Sequence, residues 1–522
     1  MSMDGKVYMG LAGDGRRVNM QLKMSSRHGL IAGASGTGKT ITMKVMAEAF
    51  SDAGVPVFLC DVKGDVSGIA MPGVSSASME ERIDRFGIRD SFQYGACPVC
   101  FWDIYQEKGH PLRVTVSDMG PELLARILGL TPAQEGVLNI VFRISDDKGL
   151  MLIDLKDLRA VLGYVSEHRG DFTATYGNIS SQSVGGILRA LLPLENQGGD
   201  LFFGEPALDI FDWIRTDSQG RGIVNLLHSV KLVQNPILYA SFLLWLMAEL
   251  FEQLPEVGDA EKPKLVFFFD EAHLLFSNAS KALVQKIEQM VKLIRSKGVG
   301  IYFVTQSPGD IPDVVLAQLG NRVQHALRAY TPSEQKAVRA AAQSFRENPA
   351  FQAADVIMEL GVGQALVSFL DEKGVPEIVQ RTDIICPRSF MGPAEETVRS
   401  ASMVGDSMGK YDNYVDNESA YEVLQEQAEA AEEQTRLEAE RARLEKEKAE
   451  FEKQKAKEEE AARKKREKEE EAALKRKQKE WEAEQKKKER AADRRRAQIE
   501  RTLINTGAQV LKRGLLNTLF KK

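Results

Sequence analysis

The feature that most constrains this chain is an eight-residue run near its start, Gly33-Ala34-Ser35-Gly36-Thr37-Gly38-Lys39-Thr40. It satisfies GxxxxGK[ST] at every fixed position. The apolar run Gly29-Leu30-Ile31-Ala32 leads into it, and a helical pattern from Ile41 to Phe50 leaves it. In that context the motif cradles phosphates, because the glycines let backbone N–H groups close on the oxygens and the helix N-terminus favours negative charge. Lys39 is then expected on the β- and γ-phosphates of a nucleotide, and the Thr40 hydroxyl as a ligand of Mg2+. A short apolar run from Val55 to Cys60 follows and ends at Asp61. Strand, glycine loop, helix and strand open a parallel α/β sheet.

A nucleotide loop that supports hydrolysis needs carboxylates on the neighbouring strand. Leu265-Val266-Phe267-Phe268-Phe269-Asp270-Glu271 supplies them. The apolar residues make a buried strand, and Asp270 emerges at its C-terminal end, where open α/β sheets bind ligands. Asp270 is expected to hold the Mg2+ shell and Glu271 to act as base towards water. Gln306, in Val304-Thr305-Gln306-Ser307, ends the next strand pattern and is placed to bridge water and γ-phosphate. Asn321-Arg322 and Arg328 follow; an arginine reaching the γ-phosphate is worth roughly 10³–10⁵ in rate. Arg328, in the strand-like Val323-Gln324-His325-Ala326-Leu327-Arg328, is the first choice.

Other polar motifs stay open at this level. Asp61-Val62-Lys63-Gly64-Asp65 closes the strand after the loop helix and is either a nucleotide or substrate contact or a polar turn. Cys97-Pro98-Val99-Cys100 has the spacing of half a zinc site, but no second CxxC or His pair complements it, and incidental thiols in a turn are favoured. His28 and His273 lie beside motifs, where His273 reads as a packing or coupling residue.

Organisation follows from pattern changes. Residues 1–117 hold an N-terminal hairpin, from the alternating runs at Lys6–Gly10 and Arg17–Leu22, and the first part of the core. Residues 118–220 read as a helical insertion, with Thr131 as N-cap and Pro132 opening a helix. Strand signals return in 221–385, the second part of the core. Residues 386–418, rich in Gly, Ser, Met, Asp and Asn, read as a linker. Between 431 and 500 there are 24 Lys+Arg and 21 Asp+Glu with no Gly or Pro, so 419–501 reads as a charged helix or coiled coil. Leu437, Leu444 and Phe451 keep a spacing of seven, but three or four sustained heptads are needed for a seam. Residues 502–522 form a basic amphipathic helix pattern suited to a protein partner or a membrane surface.

Removing the tail leaves residues 1–430 with a net charge of −14, which argues against a body wrapped in nucleic acid by bulk charge. Four cysteines fit a reducing compartment. The longest apolar run, Ile237 to Ala248, is too short to span a bilayer, so a cytoplasmic chain with no transmembrane segment is expected.

Taken together, these residues resemble the HerA–FtsK superfamily of ATPases, and most closely its HerA-like, YjgR-type bacterial members. The likeness runs from Arg27-His28-Gly29 through the loop, Asp61-Val62-Lys63-Gly64-Asp65, Phe269-Asp270-Glu271-Ala272-His273, Thr305-Gln306-Ser307-Pro308 and Gln318-Leu319-Gly320-Asn321-Arg322. It implies a RecA-like P-loop NTPase core, here with a helical insertion and a long charged C-terminal helix. It further implies a hexameric ring with ATP between subunits, pumping or unwinding double-stranded DNA. By that resemblance Lys39 and Thr40 serve phosphate and Mg2+, Asp270 and Glu271 are the acidic pair, Gln306 is the sensor and Arg328 a candidate arginine contact. The alternative is a ring or scaffold ATPase acting on a protein or membrane-surface partner through its tail. A superfamily 2 helicase reading of Asp270-Glu271-Ala272-His273 fails, because those enzymes carry a second RecA-like domain and only linker and tail follow this core.

Overall fold

A computed structural model of the chain describes residues 2–3, 5–258, 260–276 and 281–492, and these divide into two units after Gln427. The pattern expected for 502–522 lies outside the described residues.

The first unit is built on one sheet, to which thirteen strands of the described residues belong. They are β1 (Ser2–Met3), β2 (Lys6–Ala12), β3 (Arg17–Gln21), β4 (Gly29–Ala32), β5 (Val57–Asp61), β6 (Val99–Asp103), β7 (His110–Pro111), β8 (Val224–His228), β9 (Leu265–Phe269), β10 (Val299–Thr305), β11 (Asn321–His325), β12 (Gln364–Ser368) and β13 (Gln380–Ile384). The order is β1-β2-β13-β12-β11-β4-β10-β9-β5-β8-β6-β7, with β3 paired to β2 off this path. From β11 to β7 every neighbouring pair is parallel. β12, β13 and β2 join antiparallel and carry the sheet back to the N-terminal hairpin, where β2 pairs β3.

The parallel strands are apolar without alternation because both faces are covered. Phe58, Cys60, Phe267 and Phe269 enter one core, shared with the helix Pro236–Gln253 and the inserted helices. Val57, Leu59, Val266 and Phe268 enter the other, shared with α1 (Lys39–Asp52). Phe58 stacks on Trp213 at 4.4 Å between centroids, which ties β5 to the segment beyond the insertion.

The inserted helices are Val116–Ile127, Pro132–Lys148, Leu155–Glu167, Arg169–Tyr176 and Ser181–Asn196, followed by a short turn, Gly199–Phe202. Thr131 caps the second of them as its sequence indicates. Its hydroxyl accepts from the Gln134 N–H, while its own N–H donates to Gln134 Oε1 at 2.9 Å.

Residues 386–418 run as a packed strap. The buried Glu48 carboxylate of α1 accepts from the N–H groups of Arg388 and Ser389, and Lys44 of the same helix donates to the Phe390 carbonyl. Further on, both ring nitrogens of His110 meet carboxylates, Asp406 and Asp412. The Tyr411 hydroxyl accepts from the Asp209 N–H. The polar residues that gave this segment a linker composition are thus its anchors to the core.

The second unit is occupied by the greater part of the helix Ala420–Ala492. Its exposed surface carries i,i+4 ion pairs such as Glu460–Lys464 and Glu471–Lys475, both at 2.7 Å, which support an isolated charged helix.

Candidate nucleotide site

Sheet register brings the predicted residues to one edge. β5 and β9 pair with Cys60 opposite Phe269, so Asp61 and Asp270 leave adjacent strand ends. β9 pairs β10 through Phe269 and Phe303, and β10 pairs β4 through Thr305 and Ala32, which sets Gln306 and the start of the glycine loop on the same rim. Four neighbouring C-terminal strand ends therefore carry Lys63, Asp270 with Glu271, Gln306 and Gly33.

The loop is held from behind. The Gly33 N–H donates to Thr305 O and the Ala34 N–H to Ala326 O, at 3.2 and 2.8 Å. Gly36 and Gly38 have φ of +76° and +113°, conformations that L side chains rarely adopt, and α1 begins at Lys39 directly after them. Behind the loop the His325 imidazole bonds Thr42 Oγ1 at 2.8 Å and the Gln364 carbonyl at 2.9 Å. Burial holds its pKa at about 4, so it is a neutral strut at pH 7. Ser35 and Gly36 are exposed and Thr37 is buried, its hydroxyl donating to Ala34 O.

Lys39 is almost wholly buried and its ammonium donates to Gly33 O and Ala34 O at 2.6 and 3.1 Å. Burial lowers its pKa, a pull opposed by the charges of Glu271 and Asp270, while Lys63 adds to the lowering. Thr40 follows at the mouth, partly exposed.

Asp270 and Glu271 differ sharply. Burial, with the neighbouring Glu271 charge, pushes the Asp270 carboxyl up to about 7. One of its oxygens accepts the Glu271 N–H at 2.9 Å, and the other, buried, has no hydrogen-bond partner among the described residues. An orphaned buried carboxylate oxygen is a costly group, and a hard oxygen donor of this kind suits a cation such as Mg2+. Glu271 has φ +48°, a left-handed backbone unusual for a side-chain-bearing residue. Burial pushes its carboxyl up, but the Lys63 ammonium, with smaller help from Gln306 and His273, brings it below the usual range. Lys63 Nζ lies 2.6 Å from Oε1, and Gln306 Nε2 donates to Oε2 at 3.3 Å. His273 Nδ1 is also 3.3 Å from Oε2, consistent with a coupling residue.

The arginines separate. Arg322 donates to the carbonyls of Leu319, Ser344 and Leu316, and so staples its own neighbourhood. Arg328 lies three residues past the end of β11 rather than within a strand, is exposed, and donates to Met358 O and Leu360 O. In this structure it touches none of the residues gathered at the strand ends.

Comparison with known proteins bears on this arrangement. The family described as helicase HerA-like C-terminal matches residues 9–522. The chain belongs to that family. Within it, one curated relative is the DNA double-strand break repair helicase HerA of Sulfolobus acidocaldarius, 21% identical over 381 residues. That stretch covers 70% of this chain and 66% of the relative, just under two thirds of its length. The HerA-like fold also superposes on the unbound bacterial conjugative coupling protein TrwB with a TM-score of 0.51. Identity there is 14%, over 76% of this chain and 92% of that one. The plasmid coupling protein TrwB in complex with ADP and Mg2+ gives the same TM-score at 13% identity over the same shares. The RecA-like α/β core that the family resemblance implied is therefore the fold of this HerA-like chain.

Three features of the site escaped a reading by motif. Lys63 was an open alternative because its partner lies 208 positions away. His325 was read as part of a strand, with no sign that it braces the loop. A cavity of about 160 Å3 opens beside Gly38 and Thr42, lined by Ile41, Met79, Val362, Ile385 and Met391 with Arg82 at its rim. Only the ordering of β12 and β13 against the loop brings residues 362–363 and 384–387 there. The cysteines follow the structural reading, with one correction. Cys97 and Cys100 enter opposite cores, and Cys100 sits in β6 rather than in a turn. Cys100, His110 and Asp406 do converge, but His110 is already engaged by two carboxylates and pins the strap.

Proposed function

We propose that this chain is a Mg2+-dependent ATPase that works as a hexameric ring and drives translocation or unwinding of double-stranded DNA. The observation that carries the ATPase reading is the row of strand ends, where a phosphate loop, a buried carboxylate, an ionised carboxylate and a glutamine share one rim. In this reading the backbone N–H groups of Gly33, Ala34, Ser35, Gly36, Thr37 and Gly38 surround the phosphates. Lys39 turns from its own loop carbonyls to the β- and γ-oxygens. Thr40 and Asp270 hold Mg2+, which when bound neutralises charge on the β- and γ-phosphates. Glu271 accepts the proton of the attacking water, and Gln306 orients that water. The cavity of Ile41, Met79, Val362, Ile385 and Met391 takes the base, an apolar slot of the kind that suits a flat ring. Arg328, exposed and bonded to the carbonyls of Met358 and Leu360, reaches the γ-phosphate of a neighbouring subunit.

DNA as the moved substrate is supported by membership of the HerA-like family and by the HerA relative. The net charge of −14 over residues 1–430 favours a second reading, in which the ATPase acts on a protein through its charged helix. No described helix is long and apolar enough to cross a membrane, and we assign the chain to the cytoplasm.

The test is ATP hydrolysis by the full chain with and without long double-stranded DNA, beside Glu271→Gln. Stimulation of hydrolysis by DNA that vanishes in the variant, with ATP still bound and only a low residual rate left, is expected. DNA-independent hydrolysis would replace DNA by the protein partner, and binding without hydrolysis in the wild type would refute the ATPase.

A further inference from the structure

Lys63 occupies a place that the phosphate loop and acidic strand do not explain. The chain leaves β5 at Asp61, whose buried carboxylate accepts the N–H of Gly64 at 2.7 Å and that of Val66 at 3.4 Å. Gly64 has φ +80°, so the backbone reverses at once and the loop cannot wander. This Asx-type turn fixes the origin of the Lys63 side chain two residues beyond the strand end. Because β5 pairs in parallel with β9 up to Cys60 and Phe269, the Asp61 turn leaves the sheet beside Asp270, with Lys63 within reach of the next residue, Glu271. The ammonium closes on Glu271 Oε1 at 2.6 Å.

Glu271 is held from several sides. Its left-handed backbone aims the carboxylate along the rim, Lys63 takes one oxygen, and Gln306 and His273 approach the other. The carboxylate is 6% exposed and Lys63 46%, so the pair spans from the buried floor of the site to its open mouth. A lone surface ion pair would be worth little. Here one partner is desolvated and its rotamer is fixed by the other, which is what a base needs in order to meet water at one geometry.

We propose that Lys63 is a positioning residue for hydrolysis, holding the Glu271 carboxylate in the direction from which it takes the proton of the attacking water. This rests on the ATPase reading above and adds the residue that orients its base. Lys63 acts on the rate of the chemical step and leaves the affinity for nucleotide to Lys39 and the loop. Arginine, a cation of similar reach, keeps the pair; methionine keeps the stem and loses it.

The experiment uses the full-length chain. Steady-state ATP hydrolysis is measured for the wild type, Lys63→Met, Lys63→Arg, Glu271→Gln and the double variant, with ADP affinity from titration calorimetry for each. Lys63→Met should lower kcat about 10- to 100-fold, the range of a misplaced catalytic group. ADP affinity should stay within about threefold, and Lys63→Arg should recover most of the rate. In the Glu271→Gln background Lys63→Met should cost nothing further, since groups that act as a unit are not additive. That non-additivity is a signature a merely structural lysine would not give. A Lys63→Met enzyme with wild-type kcat, or one whose loss lies in KM and ADP affinity, overturns the proposal while the ATPase reading stands. A full loss on top of Glu271→Gln also overturns it. A wild-type chain that binds ATP without hydrolysing it overturns both.

Discussion

His28 offers a test of how the start of the site is held, and its size follows from the structure. The ring sits just before β4, 2% exposed, with Nδ1 accepting the Ile301 N–H of β10 at 3.0 Å and Nε2 donating to the Val291 carbonyl at 2.8 Å. Burial lowers its pKa to about 4, and the hydrogen bond to Val291 only partly opposes this. The unfolded chain binds the proton near its ordinary value of about 6.5. A folded pKa below the unfolded one means that the contribution to stability is intact above about pH 6.5 and is lost as pH falls towards 4. Between pH 7.5 and 5.0 the loss is about 2 kcal/mol for this one ring. Asp61 and Asp270, with carboxyls raised to about 6 and about 7, work in the opposite direction over the same range, so the slope of the wild type alone does not report the ring. The comparison with His28→Gln isolates the ring. Glutamine can donate to Val291 and accept from Ile301, and the variant should be about 1–2 kcal/mol less stable at pH 7.5 for imperfect hydrogen bonds. At pH 5.0 that gap should shrink by about 2 kcal/mol. Urea unfolding followed by the fluorescence of the buried Trp102, Trp213 and Trp245 reads both values. A gap that is the same at the two pH values would refute a buried neutral His28.

Two further outcomes follow from the architecture. A chain ending at Gln427 retains the whole first unit, so its hydrolysis rate and thermal midpoint should match those of the full chain, with only the far-ultraviolet helix signal reduced. Loss of hydrolysis would contradict the boundary. Arg328→Ala should lower kcat about 10³-fold or more if the residue serves a neighbouring γ-phosphate. An unchanged kcat with a lower thermal midpoint would assign it only to the carbonyls of Met358 and Leu360.

The parts of the site that the sequence discloses are those built from one contiguous segment. Gly33 to Thr40 carries its own turn, cap and cation, and Leu265 to Glu271 its own buried strand and exit, so spacing alone identifies them. The cap at Thr131 and Pro132 is local in the same sense. What stays hidden depends on partners far along the chain. Lys44 and Glu48 fall on a helix face that an amphipathic reading would turn to water. They are buried because residues 388–390, some 340 positions on, supply their hydrogen bonds. Strands β12 and β13 were concealed for a related reason. Their edges are completed by β11 and by residues 10–12 of the N-terminal hairpin, a closure that no local periodicity records.

Lys63 shows why register carries more of the function than any motif. Its distance in sequence from Glu271 is immaterial once Cys60 lies opposite Phe269, because Asp61 and Asp270 then leave adjacent strand ends and the turn at Asp61 returns Lys63 to the Glu271 carboxylate. A slip of one residue between β5 and β9 would exchange the faces of Phe267 and Phe268, each packed into a different core. The apolar packing of the two faces therefore excludes the slip, and in excluding it holds an ammonium against a carboxylate at the mouth of the site. The hydrophobic pattern of two strands, which alone says nothing about chemistry, sets the distance on which the proposed chemistry depends.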